Sequence, residues 1–224
     1  FVTSKLTTEI GEMLRHGILR KYEQELRNLR RRLTFTGIME PLAAMHDRLA
    51  STITPEHHAG ELVEPPENAD ERPYGSAEEL FADLANIQRD LYEEHGGLFA
   101  HLLEDLMYKV KIFGFHFASM DIRQDSRVHG RVIEELLTYV TPDQLIGETS
   151  YTLLSDQEKL EQIAAMRNVF PVKRDFIDDL PEGIAKDTVD SLRAARGIQE
   201  RNGERGVHRY VISNTQSAAN VLEV

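Results

Sequence analysis

The chain has 224 residues, 41% apolar and 29% charged, with a mean hydropathy of -0.41, which suits a soluble globular protein with a sizeable core and excludes an extended disordered tail. Its 26 basic and 38 acidic residues give a net charge of -12, which argues against nucleic acid or an anionic membrane as partner. There is no cysteine, so disulfides and thiolate chemistry are out, and no apolar run reaches the roughly 20 residues of a bilayer-crossing helix.

The first predicted element is one long amphipathic helix from Leu6 to Leu33, where Leu6, Ile10, Met13, Leu14, Ile18, Tyr22, Leu26, Leu29 and Leu33 recur at three- and four-residue steps. Arg27, Arg30, Arg31 and Arg32 cluster near its end, either as a dipole-favoured helix terminus or as an anion-binding patch. A second helix is expected from Pro41 to about Ser51, followed by an exposed loop over 54–76, rich in Pro, Gly and acid. His57 and His58 in that loop lack a third ligand at metal spacing.

Ser76 with Glu79 forms a capping box before the Leu80, Leu84, Ile87, Leu91 stripe. Gly96 and Gly97 then turn the chain into a helix carrying Leu98, Leu102, Leu106 and Val110, antiparallel to the one before. Further on, Val132, Leu136, Leu137 and Val140 mark a helix stopped before Pro142, and Ser155 with Glu158 caps another that runs to about Val169. A last helix is expected near Thr188 to Asn202, and "NGERG" leads into "VHRYVIS", a strand over 209–213. The fold class is mainly α, with long amphipathic helices and two short strands.

The other strand, over 117–123, lies in "FHFASMDIR". Alternation puts Phe117, Ser119, Asp121 and Arg123 on one face and Ala118, Met120 and Ile122 on the other. Asp121 and Arg123 are then same-face neighbours. Either they form a structural ion pair, or the carboxylate aims the guanidinium at a phosphate or carboxylate, whose two oxygens its fork matches. His129 reads as a hydrogen-bonding residue near a helix start or as a catalyst.

The stretch "FGFHFASMDIRQDSRVHGRVIEELL", Phe113 to Leu137, resembles the phosphoenolpyruvate carboxylase segment that reads D-I-R-Q-E-S-x-x-H. Asp121, Ile122, Arg123, Gln124, Ser126 and His129 match, and Asp125 stands where that motif has Glu. "FVT" leading into "LRNLRRRLTF" resembles the family's segment after its G-G-D-R-D-G loop. "RYVISNTQSAANVLEV" resembles its Y-V-I-S strand and following D-V-L, with Asn220 in place of that Asp.

The resemblance implies that the two strands belong to an α/β barrel and that Arg123 binds substrate, with Asp121, Gln124 and His129 in support. It also implies a cytoplasmic enzyme, homotetrameric as a whole, that joins phosphoenolpyruvate and bicarbonate to give oxaloacetate and phosphate with Mg²⁺ or Mn²⁺. The family's T-A-H-P-T-E motif, its G-G-D-R-D-G loop, its acidic metal ligands and its later glycine-rich loop have no match here. No catalytic residue and no metal ligand is therefore assigned within the chain, and no metal is expected to bind it.

The chain opens at Phe1 and closes within an apolar segment, so the expectation is an internal fragment of a larger enzyme, inactive alone. The alternatives are a helical interaction or scaffold module without catalysis, and a free-standing anion-binding domain centred on Arg123.

Overall fold

The computed structural model describes residues 4–53, 72–140, 150–166 and 178–224. The chain divides into two compact units, neither of them one continuous stretch. One unit comprises Glu9–Ser119 with Gly197–Gly206, and the other Phe1–Thr8, Met120–Arg196 and Val207–Val224.

The first unit is helical. Helix α1 (Ser4–Arg32) spans about 43 Å at 1.5 Å per residue. Of its apolar ladder, Ile18, Tyr22, Leu26, Leu29 and Leu33 are buried and Ile10 and Leu14 partly so, whereas Met13 is 65% exposed, and Leu19, one step off the counted ladder, is fully buried. Tyr22 is buried beside Leu19 and Leu26, and its hydroxyl lies 3.1 Å from the Lys109 carbonyl oxygen and 2.8 Å from that of Gly114. It thereby reaches the C-terminal end of the helix that closes at Phe113, where the Gly114 carbonyl lies beyond the helical bonding.

Helix α2 (Met39–Ile53) starts two residues before Pro41, which thus lies within the first turn, where its missing N–H costs nothing. Arg48 anchors the far side of α2. Its guanidinium stacks 4.0 Å over the Tyr74 ring, bonds Asp83 at 2.9 Å, and donates to the Arg72 carbonyl at 2.9 Å. The Tyr74 hydroxyl donates to the same Asp83 carboxylate, and burial together with that carboxylate pushes the phenol's pKa up. Of the loop expected over 54–76, residues 54–71, including His57 and His58, lie outside the described residues.

Helix α3 (Ala77–His95) begins where the capping box puts it: the Ser76 hydroxyl accepts the Glu79 N–H, and the Glu79 carboxylate accepts the Gly75 N–H. Gly96, at φ +62°, is left-handed, and the Gly97 N–H returns to the Leu91 carbonyl at 2.8 Å, closing the helix as glycine allows. The chain then reverses into α4 (Ala100–Phe113), and both Gln88 and Tyr92 of α3 donate to Glu104 of α4 at 2.9 Å. Leu80, Leu84 and Leu91 face Leu103 and Leu106 in one core shared with α1 and α2.

The second unit contains the strands. β1 (Met120–Asp125) and β2 (Val207–Ser213) form a two-stranded parallel sheet, with Asp121 opposite Arg209, Arg123 opposite Val211 and Asp125 opposite Ser213. β1 begins three residues later than alternation suggests. Phe117 sits at φ +60°, its N–H bonded to the Phe113 carbonyl, so "FHF" is a turn although its residues favour strand. β2 begins two residues earlier than expected, because Val207 already pairs with Met120.

Helix α5 (Ser126–Val140) follows β1 without a linker, and a 3-10 turn at Tyr151–Leu153 precedes α6 (Asp156–Met166). The α6 box is reciprocal: the Glu158 carboxylate accepts the Ser155 N–H at 2.8 Å while the Ser155 hydroxyl accepts the Glu158 N–H at 3.4 Å. Helix α7 (Ile184–Asn202) starts four residues earlier than expected, and α8 (Ala218–Leu222) is the final short helix. Val128 and Val132 of α5 pack on Ala185 of α7, and Leu137 packs on Tyr151. These clusters are small beside the core of the helical unit.

Candidate functional site

The candidate site is built on the strand β1 and the turn into α5. Asp121 and Arg123 lie on the more exposed face of β1, as two-residue alternation requires. Arg123 Nη2 is 3.3 Å from Asp121 Oδ2. The Arg123 side chain is 75% exposed and that of Asp121 27%. The carboxylate therefore holds one edge of the guanidinium and leaves the rest of the fork open to solvent, so the pair is an exposed one and not a closed buried one.

Gln124 faces the other way. Its Oε1 accepts the N–H of Asp125 at 3.0 Å, and it makes no hydrogen bond to Arg123. His129, one turn into α5, is 2% exposed, and its Nε2 lies 2.9 Å from the Tyr210 hydroxyl of β2. Burial lowers the His129 pKa, with the charge of Glu223 pulling it back up, and burial raises that of Tyr210. The imidazole and the phenol are thus paired inside the fold, with the tautomer of His129 deciding which of them donates. Of the four residues singled out in sequence, the structure pairs Asp121 with Arg123 and gives Gln124 and His129 partners of their own.

Asp125 closes the strand and opens the helix. One carboxylate oxygen accepts the Arg127 N–H at 2.9 Å and its Nε at 2.9 Å, the other accepts Arg127 Nη2 at 2.6 Å, and Asn214 donates to it at 2.6 Å. These bonds, Arg127's side chain first, hold the Asp125 carboxyl far below the usual carboxylate range and push Arg127 up. Ser126 donates to the Asn214 carbonyl at 2.9 Å, so the ends of β1 and β2 are tied together. Asn214 adopts φ +56°, a left-handed conformation that Asn tolerates better than most residues.

Sequence reasoning missed Asn214, Tyr210 and Glu223. Glu223 is a buried carboxylate that accepts from the Tyr151 hydroxyl at 3.1 Å and from Asn220 at 3.2 Å, with Lys159 Nζ 4.0 Å away. The one signal in sequence was Asn214 directly after the strand, a residue type suited to a left-handed turn.

The profile of the family described as phosphoenolpyruvate carboxylase matches residues 2–224. The chain belongs to the phosphoenolpyruvate carboxylase family. The curated phosphoenolpyruvate carboxylases of Burkholderia mallei (strain SAVP1) and Burkholderia pseudomallei (strain K96243) are each 33% identical to it over 196 residues, covering 86% of this chain and 19% of theirs. That of Gloeobacter violaceus is 30% identical over 197 residues, covering 86% of this chain and 20% of its own. The chain thus spans about a fifth of the length of the curated phosphoenolpyruvate carboxylases it matches. It is mainly helical, like the fragment of that family expected from the sequence, and no helix among the described residues is long and apolar enough to cross a membrane.

Among the described residues of this phosphoenolpyruvate carboxylase family member, no three His, Asp or Glu side chains gather as metal ligands.

Proposed function

We propose that this chain is the part of a phosphoenolpyruvate carboxylase that supplies a substrate-binding strand. The parent reaction carboxylates phosphoenolpyruvate with bicarbonate to oxaloacetate and phosphate, replenishing four-carbon acids in the cytoplasm. The observation that carries the reading is the Arg123 fork, held at one edge by Asp121 and open elsewhere, within a segment matched by the family profile.

A guanidinium in that state recognises the two oxygens of a phosphate or carboxylate at once, and phosphoenolpyruvate carries both groups. Asp121 fixes the fork's direction. Gln124 and His129 support the strand and helix from which it projects, through the Asp125 N–H and the Tyr210 hydroxyl. General acid–base groups, enolate stabilisation and the divalent ion would come from the rest of the parent polypeptide, a homotetramer in this reading, so the 224-residue chain alone turns over no substrate.

Calorimetry tests the proposal. Phosphoenolpyruvate titrated into the chain, with and without Mg²⁺, is expected to bind weakly in either condition and to lose binding in Arg123→Ala. Binding that is indifferent to Arg123→Ala would remove the assigned role, and release of phosphate by the chain above a catalyst-free control would overturn the claim of inactivity.

A further inference from the structure

A second polar site lies in the strand-bearing unit, and Arg123 is not part of it. A cavity of about 300 Å³ is lined by Ser126 and Arg127 at the start of α5, Asp156 and Lys159 in the first turn of α6, Asn214 and Gln216 after β2, and Ser217 and Asn220 around the start of α8. Two of these groups keep hydrogen-bonding capacity unused among the described residues.

The Lys159 side chain is only 15% exposed, yet among the described residues no acceptor lies within hydrogen-bonding distance of its ammonium. Its nearest carboxylate oxygen, on Glu223, is 4.0 Å away, and the Tyr151 ring centroid 5.6 Å. Glu223 is itself occupied by Tyr151 and Asn220. Glu223 thus compensates the charge of the ammonium without taking a hydrogen bond from it, which leaves its N–H groups able to donate to an acceptor in the adjoining space. Ser217 is the other group. It occupies the N-cap position of α8 but makes no capping bond, and its Oγ is buried without any hydrogen-bond partner. The remaining donors are spoken for in part: Arg127 is clamped on Asp125, and Asn220 bridges the Gln216 N–H and Glu223.

We propose that this cavity binds a small oxyanion, a phosphate or a hydroxycarboxylate, with Lys159 Nζ as its principal donor and the Ser217 hydroxyl, after a turn about χ1, as the second. Asp156 on the same wall sets the charge class. It disfavours a multiply charged anion and favours a singly charged one whose own hydroxyl donates to the Asp156 carboxylate. Dihydrogen phosphate and glycolate both meet that description.

The test is a titration of the 224-residue chain at pH 6.5 with inorganic phosphate and, separately, with glycolate, reading the amide resonances of Gln216, Ser217 and Asn220. Saturable shifts are expected with at least one probe, and which probe saturates tells phosphate from carboxylate. The dissociation constant is expected to rise about tenfold in Lys159→Gln, the loss of one charge-assisted bond, and to stay unchanged in Arg123→Ala. Absence of saturable shifts with both probes overturns the proposal, as does binding lost in Arg123→Ala and kept in Lys159→Gln. Where Lys159→Gln fails to fold, Ser217→Ala decides, since it removes only an unbonded hydroxyl: an affinity equal to the parent's overturns the proposal.

Discussion

Replacing Tyr210 with Phe removes one oxygen and leaves the ring. That oxygen lies 2.9 Å from His129 Nε2, and His129 is only 2% exposed, so bulk solvent is a poor replacement partner. Removing one partner and leaving the buried ring nitrogen unsatisfied costs about 1–3 kcal/mol, so the expected destabilisation is about 2 kcal/mol. The assay is urea unfolding followed by circular dichroism at pH 8, where the imidazole is neutral. The midpoint should fall by about 1 M at an unchanged slope of about 2 kcal/mol/M. Nitrogen chemical shifts of the parent protein supply a second readout, since they report which ring nitrogen carries the proton and they should move in Tyr210→Phe. A loss under about 0.5 kcal/mol with unmoved shifts would refute the reasoning.

The Arg123→Ala change should leave stability within about 0.5 kcal/mol in the same assay, because an exposed pair contributes little; a larger loss would make the Asp121 pair structural rather than a receptor. Tyr22→Phe should cost about 2 kcal/mol in thermal or urea unfolding, since it deprives the Lys109 and Gly114 carbonyls of their shared donor; no change would mean that water reaches them. Two acid-sensitive steps are expected in a stability profile. The folded pKa of His129 is lowered, so its contribution is complete above an unfolded value of about 6.5 and is lost as the pH falls from there through the folded value. Asp125 is also lowered, so its contribution is complete above about 3.9 and is lost further into acid. His129→Gln should flatten the first step and Asp125→Asn the second, and a profile unaltered by both would discard the assignment.

The helices were legible because their signals are local. The Leu80, Leu84, Ile87, Leu91 stripe and both capping boxes need only three or four residues of sequence to declare themselves, and the structure places them as read. Met13 and Leu19 show the limit of this reading. On a helix of 29 residues the buried stripe drifts, and neighbours decide which flank is covered. Phe117 misled because an aromatic alternation mimics a strand, whereas its positive φ comes from a turn that sequence type does not reveal. Asp121 and Arg123 were readable as neighbours by two-residue alternation. The His129–Tyr210 bond joins residues 81 positions apart and the Tyr151–Glu223 bond residues 72 apart, and such pairings depend on strand register and helix placement that no local pattern encodes.

The parallel pairing of β1 with β2 has a consequence for the time course of synthesis. Met120 leaves the ribosome about 87 residues before its partner Val207, a gap on the order of ten seconds at ~5–20 residues per second. Throughout that interval "MDIRQD" has its backbone hydrogen-bonding groups bare of their native partner, while the Glu9–Ser119 part of the helical unit has already emerged. The segment that carries Arg123 is thus among the last to acquire its structure, and it passes the wait protected by its own charges, Asp121, Arg123 and Asp125, against pairing with a neighbouring chain.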